Sequence, residues 1–314
     1  MGKHCMKATL VAIAGIILLT LSVALFILLL AFQNAKPSSP CAGQFGPITY
    51  LHRGNLTYAQ ENTLDAIING TSNDMKNPEI DVTAVNSGEA VLFHDTSMYR
   101  MTGIEKDIKD VDLQEALNTK ILSEIDGHRY GSTNQIPLMK TAVDAICDED
   151  STGIGINFDT DTADAIQSTV QALKNSNCKN TSNRTIWSAG YPEVVNAAHK
   201  YLKEERMDNR ISIYMPPGEY FFLGLKFFLK TRLLQSVLTS GSSMLSLHRT
   251  VHDVEQDLIQ SWRDDGWCLG IWGIRPEDIS NYNVVSFCSF VHVSLLFFYS
   301  YSHLHVLYDL YERT

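Results

Sequence analysis

The chain has 314 residues, of which 45% are hydrophobic and 19% charged, and this is enough to bury a sizeable core in one large domain or two small ones. Its formal net charge is −10, and the sequence contains no basic run or nucleic-acid recognition motif. Because a nucleic-acid-binding protein needs such basic groups to contact phosphates, we exclude this class and predict no nucleic-acid partner.

The N-terminal segment 8–32 carries no charged side chain. At about 1.5 Å per residue, a helix of this length would be roughly 37 Å long, and the hydrocarbon of a bilayer is roughly 30 Å thick. A cleaved signal peptide normally has a shorter apolar core of about 7–15 residues, so we predict a transmembrane anchor. Lys3 and Lys7 precede this span and place residues 1–7 in the cytosol.

The rest of the chain is then expected in the lumen of an endomembrane compartment, or outside the cell at the plasma membrane. Four Asn-x-Ser/Thr motifs, which are acceptors for N-glycosylation in secreted proteins, agree with this location. Five cysteines follow the anchor, and an oxidising compartment allows disulfides among them. The predicted glycosylation sites are Asn55, Asn69, Asn180 and Asn183.

A polar linker rich in Pro, Ser and Gly, 33–46, leads into a region in which strand-like and helix-like segments alternate. This alternation predicts a parallel sheet wrapped by helices. About 280 residues follow the anchor, which suits a TIM (β/α)8 barrel, typically about 250 residues long. The predicted strands are 48–52, 79–82, 90–95, 153–159, 210–215 and 268–274, and the predicted helices are 61–70, 136–146, 161–176 and 251–266.

Two further apolar segments each have two interpretations. The charges of segment 219–240 fall on one helical face, which is typical of an amphipathic helix at a membrane surface or of a helix packed on the domain core. In the tail 283–314, residues 284–301 carry no formal charge and are just long enough for a second membrane span. Their serines, aromatic residues and β-branched residues also suit a pair of buried strands.

Two carboxylates, Glu79 and Asp81, lie within a predicted strand. Side chains at positions i and i+2 of a strand project to the same side, so these two acids are neighbours. Strands of a covered parallel sheet are normally apolar, and burying an anion is costly. The pair is therefore explained either by a hard divalent cation between the carboxylates or by an edge strand with one face in water.

Three predicted strands end in side chains that can do chemistry, namely His52, His94 and Asp159. Active sites of such barrels lie at the carboxyl ends of the strands, so we expect these residues to meet Glu79 and Asp81. A cation held by three carboxylates, beside two imidazoles that remove and supply a proton, is a set of groups suited to phosphate ester cleavage.

The same residues carry a family resemblance. The segments "HRGNLTYAQENTLDAI" and "EIDVTAVNSGEAVLFHD" resemble the His-Arg-Gly…Pro-Glu-Asn-Thr and Glu-x-Asp…Asp-Gly…His-Asp motifs of the glycerophosphodiester phosphodiesterase family. "IPLMKTAVDAI", "INFDTD" and "GWCLGIWGI" follow in the order of that family. With its anchor and glycosylation motifs, the chain is similar to membrane glycoproteins of the family. The resemblance implies a phosphodiesterase-type TIM barrel over residues 47–282, with a small insertion at about 97–130.

The resemblance also implies the roles of the acids and the histidines. Glu79, Asp81 and Asp159 would bind Mg²⁺ or Ca²⁺. His52 would be the general base that takes a proton from an attacking glycerol hydroxyl, and His94 would be the general acid that protonates the departing alcohol.

Four further residues match substrate-binding positions of the family. Arg53 would bind the phosphate, Glu61 and Asn62 would support the site, and Trp272 would line the glycerol pocket. The implied substrates are glycerophosphodiesters, such as glycerophosphoinositol, or lysophospholipids at a membrane.

The chain also departs from the family pattern. Gln60 replaces a proline, and Asp161 stands where the family has a lysine, which removes charge stabilisation worth about 10²–10³ in rate. The expected last strand is not recognisable after residue 283, which leaves open whether the barrel is complete at its C-terminus. A catalytically impaired member that serves as a membrane-anchored binding or scaffold protein is therefore the alternative to a hydrolase.

Overall fold

Strands and helices alternate along most of the described chain. The structure, a computed structural model, describes residues 13–24, 48–56, 58–71, 77–125, 128–148, 155–160, 162–176, 185–189, 192–204, 210–214, 244–248, 260, 264, 268–274 and 289–293. The first elements are α1 (13–24), β1 (Ile48–Leu51), α2 (Leu64–Thr71), β2 (Asn77–Ala84), β3 (Ala90–Leu92), α3 (Tyr99–Thr102), a 3₁₀ turn (Ile108–Asp110), α4 (Leu113–Asn118), β4 (Lys120–Ile125) and β5 (His128–Gln135). There follow α5 (Met139–Asp148), β6 (Asn157–Asp159), α6 (Ala163–Lys174), β7 (Ile186–Ala189), α7 (Pro192–Glu204), β8 (Arg210–Tyr214), β9 (Met244–His248), β10 (Cys268–Ile274) and β11 (Ser289–Val293).

Eight parallel strands close into a barrel. They pair in the order β1-β11-β10-β9-β8-β7-β6-β2, and β2 also pairs with β1, so that the ring has no free edge. Helices α2, α5, α6 and α7 connect successive strands in the first half of the ring. The predicted TIM-barrel class is therefore confirmed, and the carboxyl ends of its strands form one mouth.

The wall formed by β2, β6 and β7 has an apolar and a polar side. Ile80, Phe158 and Trp187 are neighbours in the strand register and belong to the buried core that includes residues of α5, α6 and α7. The rings of Phe158 and Trp187 lie 4.8 Å apart between their centroids. Because side chains alternate along a strand, Glu79 and Asp81 point away from this helix-covered core and into the barrel.

The closing strand β11 comes from the segment that the sequence assigned to a divergent tail. Its residues pair in parallel with β1 and with β10, so the barrel, whose closure the sequence left open, is complete. For these five residues, the structure also shows a strand instead of a second membrane helix. The sequence Ser-Phe-Val-His-Val is rich in strand-forming residues, which is sufficient for a short strand between two partners even without the family motif.

An insertion follows β3 and has a core of its own. It comprises α3, the 3₁₀ turn, α4 and the antiparallel hairpin β4–β5, and it ends at Gln135, slightly later than predicted. Its buried side chains include Met98, Met101 and Ile108 and pack with Phe93. The insertion is therefore a small second body of the same domain, attached beside the barrel mouth.

The membrane predictions fall mostly outside the described residues. Residues 13–24 form the exposed helix α1, and no helix in the described part of the chain is both long and apolar enough to cross a bilayer. Segment 219–240 lies outside the described residues, as does the chain after residue 293.

The closing strand gives a direct test of the barrel. Val291 pairs with Thr49 on one side and Ile271 on the other, so Val291→Pro removes a backbone N–H between two partners. A loss of about 2 kcal/mol would lower the thermal midpoint by roughly 4–8 °C, measured by circular dichroism. Val291→Thr, which keeps the N–H and the β-branched shape, is the matched control. Equal midpoints for the two variants would show that β11 does not close the barrel.

Candidate active site

Three carboxylates meet at the mouth of the barrel. Asp81 and Asp159 are directly paired in the register of β2 and β6, and Glu79 is two positions before Asp81 on the same side of β2. One oxygen from each of the three lies within 4.8 Å of the others. Glu79 is fully buried, and Asp81 is 6% exposed. The interpretation as a wet-faced edge strand is therefore wrong, because β2 lies between two strands and both acids are buried.

The loop after β1 supplies partners for both buried acids. The backbone N–H of Arg53 donates to Oε2 of Glu79 at 2.7 Å. The side-chain amide of Asn62 donates to Oδ2 of Asp81 at 2.7 Å, and the backbone N–H of Asp81 donates back to Oδ1 of Asn62 at 3.0 Å. Charge-assisted hydrogen bonds of this kind offset part of the cost of burying the carboxylates.

The same loop has an unusual backbone. Arg53 and Asn62 have φ angles of 58° and 56°, in the left-handed region that side chains other than Gly seldom occupy. A hydrogen bond from the N–H of Asn62 to the carbonyl oxygen of Arg53, 3.0 Å long, joins these two residues. Such strain is characteristic of functional loops. Here it places the N–H of Arg53 and the side-chain amide of Asn62 within hydrogen-bonding distance of Glu79 and Asp81.

Gly54 allows this loop to lie against helix α2. Its φ angle is 88°, and a Cβ added there would be 2.8 Å from the carbonyl carbon of Ala66. The next N–H, that of Asn55, donates to the carbonyl oxygen of Ala66 at 2.8 Å. The glycine of the His-Arg-Gly motif is therefore required both by its backbone angle and by a close backbone contact.

The Arg53 side chain is held between two acids. Its Nε lies 2.9 Å from Oδ2 of Asp81, and its Nη1 donates to Oε1 of Glu61 at 2.9 Å. Burial opposes the charge of the guanidinium, but the charges of Asp81 and Glu61 outweigh this effect and raise its pKa. Arg53 is thus a permanent cation next to the three carboxylates, and Glu61 and Asn62 each contact a charged group of this site.

The hairpin β2–β3 brings His94 to the site. The sequence placed His94 at the end of a parallel barrel strand, and this is wrong, because β3 runs antiparallel to β2. The N–H of Phe93 donates to the carbonyl oxygen of Asp81 at 3.1 Å, so the chain returns to the level of the acids before His94. The fold-back explains how a histidine thirteen positions after Asp81 reaches the same mouth.

His94 is bound to its neighbour Asp95. Its Nδ1 lies 2.6 Å from Oδ1 of Asp95. Burial opposes protonation of His94, but the charge of Asp81 and the hydrogen bond to Asp95 outweigh it, so the pKa of His94 is raised above its ordinary 6.5. Burial would also raise the pKa of Asp95, yet its hydrogen bonds with His94 and Arg100 hold that pKa far below the usual range. The hydrogen bond to Asp95 therefore favours the protonated form of His94.

The structure describes His52, Trp272 and Asp161 to different extents. His52 directly follows β1, next to Arg53, and is half-buried. Trp272 lies on β10, where its backbone pairs with His248, but its side chain is outside the described part. Asp161 is outside it altogether.

The glycosylation motifs are placed unevenly. Asn55 is 6% exposed, and its burial argues against the predicted glycan there. Asn69 is half-buried on α2, and its Nδ2 donates to the carbonyl oxygen of Asp65 at 2.7 Å. Asn180 and Asn183 lie outside the described residues.

Sequence reasoning gave no role to two residues of this site. Asp95 was visible only as the second letter of the His-Asp motif. Arg100, on α3 of the insertion, contacts both Asp95 and Glu61 through its guanidinium. Asp95 could have been found from its position next to His94, whereas no local pattern marks Arg100.

Comparison with known proteins gives a family match over most of the chain. The sequence profile described as the glycerophosphoryl diester phosphodiesterase family matches residues 52–285. No curated protein gave a match.

Solved structures share the barrel. A phosphodiesterase from Oleispira antarctica, in complex with the product sn-glycerol-3-phosphate, is 20% identical with a TM-score of 0.58, over 79% of this chain and 93% of that one. A glycerophosphodiester phosphodiesterase from Thermotoga maritima is 17% identical with a TM-score of 0.56, over 85% of this chain and 99% of that one. One from Agrobacterium tumefaciens is 15% identical with a TM-score of 0.58, over 79% of this chain and 96% of that one. At these identities the similarity establishes the fold alone.

Two glycines with the same φ angle allow the close contact of Gly54 to be tested. An alanine at Gly54 or Gly88, both at 88°, adds backbone strain of about 1–2 kcal/mol. At Gly88 the added Cβ has nothing within 4 Å, whereas at Gly54 it meets the backbone of Ala66. We expect Gly54→Ala to lower the free energy of unfolding in urea clearly more than Gly88→Ala does. Equal losses would mean that the loop does not need its close approach to α2.

Proposed function

Because the chain belongs to the glycerophosphodiester phosphodiesterase family, an enzyme family, we propose that it is a membrane-anchored, metal-dependent hydrolase of glycerophosphodiesters. Its products would be glycerol phosphate and an alcohol. The observation that carries the proposal is the convergence of Glu79, Asp81 and Asp159 beside His94 and Arg53 at the barrel mouth. This set combines a cation site, a proton donor and a phosphate-binding guanidinium.

The three carboxylates fit a hard divalent cation. Mg²⁺ and Ca²⁺ both prefer oxygen ligands, and this site offers three carboxylate oxygens within 4.8 Å of one another. Two oxygens that contact Ca²⁺ at about 2.4 Å can be at most about 4.8 Å apart, and the corresponding limit for Mg²⁺ is about 4.2 Å. When bound there, the cation would neutralise negative charge on the phosphoryl oxygens. Ca²⁺ therefore fits the cluster as it stands, whereas Mg²⁺ would need every pair of ligand oxygens to lie within about 4.2 Å.

The chain's own side chains supply proton transfer and phosphate binding. His52 takes the proton of the glycerol hydroxyl that attacks phosphorus, and His94 gives its proton to the departing alcohol as the old P–O bond breaks. Water then opens the resulting cyclic phosphate, with the two imidazoles exchanging roles. Arg53 binds the phosphate through its guanidinium, and Glu61 holds that guanidinium in place.

The finer assignments depend on sequence features of this chain. The apolar segment 8–32 would hold the enzyme in a membrane, where glycerophosphoinositol-type diesters or lysophospholipids are available. Trp272 would line the glycerol pocket. A disulfide at Cys147 supports a luminal or extracellular location, since disulfides persist in oxidising compartments. The apolar segment and the glycosylation motifs are the features in which the chain resembles membrane glycoproteins of the family.

Hydrolysis of glycerophosphoinositol or glycerophosphocholine by the full-length chain tests the function. We expect activity with Mg²⁺ or Ca²⁺ that is lost in EDTA and restored when either cation is added back. His52→Ala should lower kcat about 10²–10⁴-fold because it removes the base that accepts the glycerol proton. The substitution Lys106→Met, in an exposed ion pair of the insertion, is the matched control and should leave the rate unchanged.

Two outcomes would contradict this assignment. An unchanged rate in His52→Ala would remove the acid–base mechanism. A folded chain that binds the diester but does not cleave it, with any added cation, would identify it as the impaired binding or scaffold protein.

The raised pKa of His94 predicts the alkaline limb of the pH profile. A general acid must be protonated, so kcat/KM falls once the pH rises through the pKa of His94. Asp95 contributes to that rise through its hydrogen bond and its charge. In Asp95→Asn the limb should therefore move to lower pH, measured at saturating metal so that Asp81 is neutralised in both proteins. A limb that does not move would exclude His94 as the acid.

A further inference from the structure

Arg100 connects two groups of the site that are far apart in sequence. On one side it donates two hydrogen bonds to Asp95, with Nε 2.5 Å from Oδ2 and Nη2 3.0 Å from Oδ1. On the other side it donates two hydrogen bonds to Glu61, with Nη2 2.5 Å from Oε1 and Nη1 3.2 Å from Oε2. One guanidinium thus spans two carboxylates with four contacts.

Each of these carboxylates in turn holds a residue that acts on the substrate. Asp95 lies 2.6 Å from Nδ1 of His94, and Glu61 accepts from Nη1 of Arg53 at 2.9 Å. One carboxylate therefore separates Arg100 from the general acid, and another separates it from the phosphate-binding arginine. Without it, Asp95 and Glu61 would be two anions with no cation between them.

The contact at Nδ1 determines which nitrogen of His94 is available. When a carboxylate accepts from Nδ1–H, the neutral imidazole keeps its proton on Nδ1 and Nε2 becomes the nitrogen that exchanges a proton with substrate. Asp95 has this effect only while its carboxylate keeps its orientation. Two bonds from a planar guanidinium fix that orientation, which a single lysine ammonium does not do.

The insertion holds Arg100 in position. Helix α3 has four residues. Met98, at its N-cap, and Met101, within the helix, are both buried in the core of the insertion. The side chain of Arg100 itself is 45% exposed, so burial of its own atoms does not account for its place. Its orientation follows from an anchored short helix and from the two carboxylates it binds.

We propose that Arg100 is a positioning residue that fixes His94, through Asp95, and Arg53, through Glu61, in one geometry for the departing alcohol and the phosphate. The inference rests on the proposed function, because it assigns Arg100 to the same acid catalysis. The insertion then has a specific function, which is to position Arg100 at the barrel mouth.

The leaving group of the substrate reveals whether Arg100 acts through the general acid. Glycerophosphocholine has a poor alkoxide leaving group that needs protonation, whereas glycerophospho-p-nitrophenol releases an acidic phenol that does not. We expect Arg100→Met to lower kcat about 10–10²-fold on glycerophosphocholine, the range typical for residues that orient a reacting group, with a much smaller loss on the nitrophenyl ester. Arg100→Lys should recover only part of the loss, since one ammonium cannot grip both carboxylates.

The tautomer of His94 gives a readout that does not require turnover. In ¹⁵N-histidine NMR above the pKa, assigned with a His94→Gln variant, the wild-type chain should show His94 protonated on Nδ1 alone. Arg100→Met should show a mixture of Nδ1 and Nε2 tautomers. Lys106→Met, which removes a cation of the same insertion from its ion pair with Glu115, should match the wild type in both experiments.

The outcomes separate this inference from the function on which it rests. Equal losses on the two substrates, with an unchanged tautomer in Arg100→Met, would overturn the positioning role. A wild-type chain that cleaves neither substrate would overturn the proposed function. In that case the tautomer comparison alone decides whether Arg100 orients His94, and a single Nδ1 tautomer in both proteins counts against it.

Discussion

Two neighbouring carboxylates inside a barrel repel each other and lose their hydration, and the rest of the site is arranged around this cost. Glu79 and Asp81 are buried on β2, where a parallel strand is normally apolar on both sides. One N–H and one amide from the loop after β1 bind them, together with the guanidinium of Arg53. That loop is strained at Arg53 and Asn62, and the tight packing of Gly54 on α2 maintains the strain. A divalent cation is the natural further partner for such a group.

Charges of alternating sign extend from this cluster to the insertion. Each anion contacts at least one cation, and the sequence of contacts runs from the buried barrel interior to the partly exposed surface of α3. The members in order are Asp81, Arg53, Glu61, Arg100, Asp95 and His94. The barrel loop and the insertion both contribute residues to this series of charged contacts. The site is therefore complete only when the two bodies of the domain are packed together. A second contact, from Nδ2 of Asn134 to Oε1 of Gln60 at 2.8 Å, holds the hairpin β4–β5 on the same loop.

The sequence predicted the barrel and the three carboxylates because both depend on local patterns. Alternating strands and helices indicate the fold class, and the spacing of Glu79 and Asp81 places them on one face whatever the surroundings. The strands β7 and β9 were not predicted, and β11 was covered only by one of two interpretations of the tail, since each has only four or five residues and lacks a distinctive motif. The direction of β3 was also wrong, because a short apolar run does not show whether it pairs parallel or antiparallel. Arg100 could not be found, since its partners Asp95 and Glu61 become its neighbours only in the folded chain.

The hairpin that carries His94 places a strict limit on how this part of the chain can change. Val82 faces Leu92 and Ala84 faces Ala90, so the position of the imidazole follows from the pairing of two short strands. Side chains on a strand point alternately to opposite faces, and a slip of one residue would exchange the places of Phe93 and His94. The aromatic ring would leave the insertion core and the imidazole would enter it. Gain or loss of a single amino acid in the turn 85–89 is therefore expected to be far more damaging than a substitution there, although Asn86 and Ser87 are exposed to solvent.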